Sequence, residues 1–211
     1  MNTPENSNTA SPSAPGGADT DWESRYLDSD TPWDKGSPHP ALLDWLRKNQ
    51  LTGSVLVPGC GAGHDVRAIA AHGATRVVGM DIAPSALQRA RHFKPAGVEN
   101  YILGDFLAGE AAARGPFDWV FEHTCFCAIP PARRSDYASA TFESLRPGGF
   151  LLAVFFHSPD NPNPACPPFA SPRAEVEALF ASNFEFLEVT PGIPTYPERE
   201  GREFLALLRR K

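Results

Sequence analysis

One stretch constrains this chain more than any other: Val55-Leu56-Val57-Pro58-Gly59-Cys60-Gly61-Ala62-Gly63-His64-Asp65. An apolar run ends in three alternating glycines. A second apolar run, Val77 to Met80, ends directly in Asp81, eighteen residues after Gly63. Strand, glycine turn and helix start would bring backbone N–H groups up to a ligand, and the next strand would deliver a carboxylate to a ribose. Dinucleotide folds share this layout but need a third glycine at position 64, which here is histidine. The substitution disfavours a pyrophosphate seated on the helix and favours an adenosyl ligand without phosphates, of which S-adenosylmethionine is the sharper reading.

The bulk numbers narrow the field. A chain of 211 residues, 42% hydrophobic, can bury one substantial core, so one domain is expected. A formal charge of −6 and the lack of a Lys/Arg cluster argue against a nucleic-acid partner. The longest apolar run, Phe150 to Phe156, is far short of a membrane span. Cys125 and Cys127 are too close for the usual metal-ligand pair, and no H-E-x-x-H or EF-hand run is present, so no metal is expected. Gly-x-Ser-x-Gly is absent as well. Free thiols at Cys60, Cys125, Cys127 and Cys166 suit a reducing cytoplasm. Residues 1–20 carry no apolar signal segment; their Ser, Pro, Gly and Asn content reads as a disordered tail before a single domain at 21–211.

Along that domain, Trp22 to Tyr26 reads as a short helical or irregular segment, and the Pro- and Gly-containing stretch from Thr31 to Gly36 as a loop. Pro40 opens a helix to about Asn49 that buries Leu42, Leu43, Trp45 and Leu46. Ser54–Val57 is the first strand, and His64 to His72 a helix stopped by Gly73. Arg76–Met80, Asn100–Leu103, Phe117–Phe121 and Phe150–Phe156 are the next strands; helices run from Pro84 to about Phe93 and from Pro131 to Leu145, with a turn at Arg146–Gly149. Six prolines make Ser158–Pro172 a long loop, after which Ser171 caps a helix to Phe180. Phe184–Thr190 and Glu203–Arg209 close the chain as an antiparallel hairpin with a long connection. The fold expected is α/β and Rossmann-like: seven strands, mostly parallel, with helices on both faces.

Candidate site residues follow from that layout. Gly59, Gly61 and Gly63 form the ligand turn, and Asp81 accepts from ribose hydroxyls. Asp105 ends the third strand on the same sheet edge, where it can accept from an adenine amine with Phe106 against the ring; a local turn cap is the alternative. Glu122 to Cys127 follow the fourth strand as a pocket wall. His123 has the chemistry of a general base, yet the sequence shows no carboxylate beside it, and a thiolate acceptor needs no base. His64 and His72 read as surface or packing residues. Trp22, Tyr26 and Trp33 either cover the sheet end or form a lid whose aromatic faces attract a sulfonium, with Phe169 anchoring the opposite loop.

These motifs together resemble the thiopurine S-methyltransferase superfamily, and within it the halide, thiocyanate and thiol methyltransferases. The matching stretches are Thr31-Pro32-Trp33-Asp34-x-Gly36, the glycine block from Leu56 to Asp65, Gly79-x-Asp81-Ile82-x-x-Ser85-Ala86-Leu87, Phe126-Cys127-Ala128-Ile129 and Leu145-x-Pro147-x-Gly149. The resemblance implies a class I methyltransferase fold that converts S-adenosylmethionine to S-adenosylhomocysteine. It assigns donor contacts to Trp22, Tyr26, Trp33, Gly59, Asp81, Asp105 and His123, where plant relatives carry tyrosine at the last position and tryptophan at Tyr26. It also places Cys166-Pro167-Pro168-Phe169 beside the acceptor, and a basic residue, Arg199 or Arg202, near an anionic acceptor. His123 and Arg199 are thus the substrate-side candidates. The activity implied is direct in-line transfer to a small thiol, sulfide, thiocyanate or halide by a cytoplasmic monomer. A small-molecule O- or N-methyltransferase, a nicotinamide oxidoreductase and a non-catalytic cofactor-binding protein are the competing readings.

Overall fold

The computed structural model describes residues 20–161, 163 and 165–211. The expected tail therefore lies, apart from Thr20, outside the described residues. Among the latter, six helices alternate with seven strands: α1 Trp22–Leu27, α2 Pro40–Lys48, β1 Gly53–Pro58, α3 His64–Ala70, β2 Ala74–Asp81, α4 Pro84–His92, β3 Glu99–Leu103, β4 Phe117–His123, α5 Arg134–Ser144, β5 Leu145–Phe156, α6 Arg173–Phe180, β6 Phe184–Pro191 and β7 Glu203–Arg210. The strands form one sheet in the order β3-β2-β1-β4-β5-β7-β6. Among the described strands only β7 runs against its neighbours, paired antiparallel to both β5 and β6. No described helix is long and apolar enough to cross a membrane.

The pleat explains why the central strands read as nearly unbroken apolar runs. Successive side chains point to opposite faces, and both faces are covered. Leu56, Val78, Val120 and Leu151 join one core with α5 and α6, whereas Val55, Val57, Val77 and Leu152 join the other with α2, α3 and α4. On α2 the fully buried stripe is Ala41, Leu42 and Leu46; Leu43 and Trp45 are half-buried at its margin, where Trp45 meets Trp119 edge-on.

Two local expectations are corrected. Strand β5 starts at Leu145 rather than Phe150, because Pro147-Gly148-Gly149 makes a bulge and not a break. Leu145 pairs with Phe117, the register then slips, and Arg146 Nε donates to Asp118 at 2.7 Å across the bulge. The preceding helix accordingly ends at Ser144, and Pro131–Arg133 ahead of it is a 3-10 turn. Ser171 does not cap α6; it is buried, its N–H donates to the Phe156 carbonyl at 3.0 Å, and Arg134 approaches its hydroxyl. That arrangement ties the Pro-rich loop to the end of β5.

Strand order, not chain direction, reverses between the parallel neighbours β1 and β4: β2 and β3 add on one side, β5 on the other. Open α/β sheets place ligands at the carboxyl end of such a switch point. Here that crevice lies between the turn after β1 and the segment after β4.

Candidate functional site

All three glycines of the turn take left-handed φ, at 57°, 53° and 71° for Gly59, Gly61 and Gly63. A Cβ on Gly63 would stand 2.6 Å from the Tyr101 ring, so both conformation and space require glycine. The Gly61 N–H donates to Asp81 Oδ2 at 2.8 Å, and the Ala83 N–H to Oδ1 at 2.9 Å. The end of β2 thereby locks the turn and orients its own carboxylate. Each oxygen keeps acceptor capacity for a hydroxyl. Burial pushes the Asp81 carboxyl above its ordinary value, against the pull of those N–H donors.

A cavity of about 320 Å³ opens beside this turn, with Asp81, Asp105 and Phe106 along one wall and Trp22, Tyr26 and Trp33 along another. The three aromatics form one unit. Trp33 meets Trp22 and Tyr26 edge-on at 5.3 and 5.7 Å, and its indole N–H donates to the Tyr26 hydroxyl at 3.2 Å. That hydroxyl is 3.0 Å from where a Gly61 Cβ would stand, so the aromatic cover rests directly on the glycine turn. For Asp105, cap and cavity coexist. Its Oδ1 accepts from the Leu107 and Ala108 N–H groups, capping the turn, while the residue still borders the cavity. Phe106 also borders it and packs edge-on against Tyr137. On the opposite loop Phe169 is buried, with its N–H on the Cys127 carbonyl at 2.7 Å.

A second, smaller cavity of about 50 Å³ lies on the far side of the glycine turn, bordered by Asp65, His123 and Tyr196. Trp33, Gly59 and Thr124 border both cavities. Thr124 has φ of 64°, an uncommon conformation for a β-branched residue that costs about 1–3 kcal/mol. Strain of that size persists only where surrounding structure imposes it, and here it falls at the junction of two cavities.

The carboxylate partner that the sequence does not show beside His123 is supplied by the fold. Its Nδ1 lies 2.8 Å from Asp65 Oδ2. Asp65 sits in the first turn of α3, and its other oxygen accepts the His39 N–H at 2.8 Å. Burial raises the Asp65 pKa, but His123 and the His39 amide outweigh it and hold the carboxylate below its ordinary value. The sequence signal was present, since Asp65 closes the glycine motif, but the 58 residues between the partners concealed the pairing. Nε2 of His123 is buried and has no hydrogen-bond partner among the described residues.

Behind His123 lies a group that sequence reasoning missed: His39 and Glu203, 164 residues apart, with His39 Nε2 at 3.0 Å from Glu203 Oε2. Arg199 donates to the other Glu203 oxygen at 3.0 Å, and the Thr195 hydroxyl adds a third donor. Although burial opposes it, these donors hold the Glu203 pKa down to about 2. Of the two basic candidates, Arg199 is the one that borders the large cavity, its guanidinium over the Phe156 ring; Arg202 pairs with exposed Asp160 instead. His39, His123 and Glu203 bring ligand atoms within 4.8 Å of one another, yet the set is chemically poor for a metal. His39 Nδ1 already accepts the Ala41 N–H, so Nε2 carries the proton and donates to Glu203. Arg199 adds a positive charge beside the same carboxylate.

The thiols of the remaining wall are neutral. Burial pushes the Cys127 thiol up to about 12 and Cys125 well above its ordinary value. Glu122, fully buried beneath them, accepts from the Phe126 N–H and the Tyr137 hydroxyl, and burial raises its pKa to about 7. His64 is more than a packing residue: it holds Asp34 at 3.1 Å and so fastens the Trp33 loop to α3. His72, as expected, is peripheral, bonded to the Ala68 carbonyl.

A family model described as thiopurine S-methyltransferase matches residues 18–199. The chain belongs to the thiopurine S-methyltransferase family. Over 190 residues it is 33% identical to the probable thiol methyltransferase 2 of Arabidopsis thaliana, covering 87% of this chain and 82% of the relative. It is 31% identical to thiocyanate methyltransferase 1 of Brassica oleracea over the same shares. To the thiopurine S-methyltransferase of Xanthomonas campestris pv. campestris (strain 8004) it is 31% identical, covering 81% and 86%. The fold also matches the SAM-dependent methyltransferase of Anabaena variabilis, with a TM-score of 0.68 at 18% identity over 90% of this chain and 93% of that one. The 1,6-didemethyltoxoflavin-N1-methyltransferase of Burkholderia thailandensis, solved with S-adenosylhomocysteine bound, matches at 0.67 and 21% identity over 90% and 86%. The seven-stranded class I methyltransferase fold and the family read from the motifs are both borne out.

Proposed function

We propose that this methyltransferase transfers the methyl group of S-adenosylmethionine directly to a small sulfur nucleophile or soft anion. The observation that carries the reading is the wall shared by the two cavities at Trp33, Gly59 and Thr124. An adenosine along Asp81, Asp105 and Phe106 in the larger cavity, and an amino-acid tail in the smaller, meet at that wall, which sets the sulfonium there. Trp33 offers an aromatic face to the cation. The acceptor then occupies the part of the large cavity bordered by Cys127, Phe156 and Arg199. The names of the plant relatives, thiol and thiocyanate methyltransferases, support the same acceptor class.

Attack on a sulfonium carbon by an anion cancels charge, so a dry, largely apolar pocket favours the transition state over separated, hydrated ions. The protein's main task is to align attacking atom, methyl carbon and leaving sulfur. Calorimetry with S-adenosylhomocysteine, followed by a product screen with bisulfide, thiophenol, thiocyanate, iodide and catechol, tests the proposal. Binding of the demethylated donor with a methylated sulfur or halide product is the expected result. Folded protein that binds neither donor nor demethylated donor overturns it, and turnover of catechol alone moves the assignment to oxygen.

A further inference from the structure

We infer that Thr124 is the side chain that seats the donor's sulfonium and its methyl group at the junction of the two cavities, an inference resting on the function proposed above. Among the described residues, three border both cavities: Trp33, Gly59 and Thr124. Trp33 brings an aromatic ring and Gly59 only backbone. Of the three, Thr124 is the one whose side chain carries an oxygen.

The single proton of that hydroxyl is already committed. Thr124 Oγ1 donates it to the His123 carbonyl at 2.7 Å, so toward a ligand the oxygen acts only as an acceptor. An acceptor of this kind suits a sulfonium, whose charge spreads onto its methyl hydrogens and makes them weak donors. The neutral sulfur of the demethylated donor has no such hydrogens. With Trp33 supplying an aromatic face, the shared wall favours the charged form of the ligand from two sides.

The backbone supplies a second observation. Thr124 holds φ of 64°, which glycine adopts freely and a β-branched residue adopts only under constraint. The constraint comes from both neighbours. His123 ends β4, pairs with Val154 and is tied to Asp65 at 2.8 Å. Cys125, one residue on, is pressed against the donor turn: its Sγ lies 2.8 Å from where a Gly59 Cβ would stand. Beyond it the Phe126 N–H donates to Glu122 Oε1 at 2.7 Å, and the Cys127 thiol donates to the Thr124 carbonyl at 3.4 Å. The chain must therefore turn from the strand onto the glycine loop within one residue. For the backbone alone, glycine is the unstrained solution. A branched, oxygen-bearing side chain stands there instead, where both ligand compartments meet, and strain of this kind collects at ligand clamps.

Calorimetric titration of the same protein with S-adenosylmethionine and S-adenosylhomocysteine tests the inference, because the two ligands differ only at the sulfonium and its methyl. T124V keeps the branching, and with it the strain, and removes the oxygen. It should weaken S-adenosylmethionine about threefold or more beyond any loss for S-adenosylhomocysteine, the order of one C–H···O contact. T124S keeps the oxygen and should restore the affinity ratio of the unmodified protein. T124G lacks the oxygen but is at ease at this φ, so it carries the test even where T124V does not fold. Its ratio should shift as that of T124V does, and kcat with 4-nitrothiophenol should fall in both and recover in T124S. Equal losses for the two ligands in T124V and T124G, or a T124S ratio no better than theirs, assign Thr124 to the fold alone and overturn the inference. Unmodified protein that is folded and binds neither ligand overturns the functional reading instead, so the two failures are distinct.

Discussion

The two ends of the cleft are built on different plans. The donor end is made of neighbours in sequence: Gly61 and Ala83 lie 20 and 2 residues from the Asp81 carboxylate they hold, and backbone N–H groups do the holding. The far end is made of side chains from remote segments. His39 reaches Glu203 across 164 residues, His123 reaches Asp65 across 58, and the Tyr196 hydroxyl reaches the Ser37 carbonyl across 159. Backbone geometry tolerates change in everything except the glycines and the one carboxylate. A side-chain network can be re-specified residue by residue. The first plan leaves little room for change, whereas the second can differ among relatives named for thiols, thiocyanate and thiopurines.

The largest effect should follow D81A. The substitution removes the proposed acceptors for two ribose hydroxyls and also frees the Gly61 and Ala83 N–H groups. Charge-assisted hydrogen bonds are worth about 1.5–3 kcal/mol each, so affinity for S-adenosylhomocysteine should fall more than about 100-fold. Calorimetry measures it directly, and a loss under about fivefold would break the assignment of the donor end to Asp81.

Next is G63A, which asks whether the turn is as unforgiving as its geometry requires. At φ of 71°, with Tyr101 2.6 Å from the new methyl, the variant should lose about 3 kcal/mol. For a chain of this size that lowers the melting temperature by roughly 6–12 °C. An unchanged melting curve would show that the turn can move. The same contrast sets what the sequence revealed. The alternation of glycines, the spacing to Asp81 and the apolar strands are local patterns, so the sheet, the donor turn and the aromatic cover were legible. Asp65 lay in plain view within the motif, yet its partner on β4 is fixed by the strand order and by α3 packing on the sheet, which no local pattern encodes. The bulge at Pro147-Gly148-Gly149 was hidden for a related reason. Proline and glycines read as a turn until Asp118 on the neighbouring strand captures Arg146 and pairing continues.

The far end should reveal itself through pH. Glu122 is buried and titrates near 7, above the value of about 4.3 for an exposed glutamate. The native state therefore retains this proton at pH values where the unfolded chain has released it. A raised carboxyl pKa means that stability is full below about pH 4 and declines as pH rises toward 7, by a few kcal/mol at most. E122Q keeps an acceptor for the Phe126 N–H and a partner for the Tyr137 hydroxyl, and it cannot ionise. Urea unfolding at pH 5 and pH 8 should show the unmodified protein losing about 2–3 kcal/mol more than the variant. Parallel pH dependence in the two proteins would mean that Glu122 ionises freely and that the wall beneath the cysteines is wet.

The smallest effect belongs to the hinge between the two plans. His64 stands where a dinucleotide fold would need glycine, and it spends its Nε2 on Asp34, 3.1 Å away in the loop that carries Trp33. Hydrogen bonding to His64 is the leading cause of the lowered Asp34 pKa, ahead of the opposing effect of burial and the Gly36 N–H. The histidine therefore does for the lid what a glycine would do for a pyrophosphate: it sets what sits over the turn. H64A leaves the turn itself intact and loosens only its cover. Removing one such hydrogen bond costs about 1 kcal/mol, so KM for S-adenosylmethionine should rise about fivefold. D34N should give a similar increase, because either substitution weakens the same contact, and the double variant should add little to the single ones. Additive losses would mean that the two residues act separately. A loss in H64A as large as that in D81A would mean that the cover, rather than the backbone turn and its carboxylate, supplies most of the donor affinity.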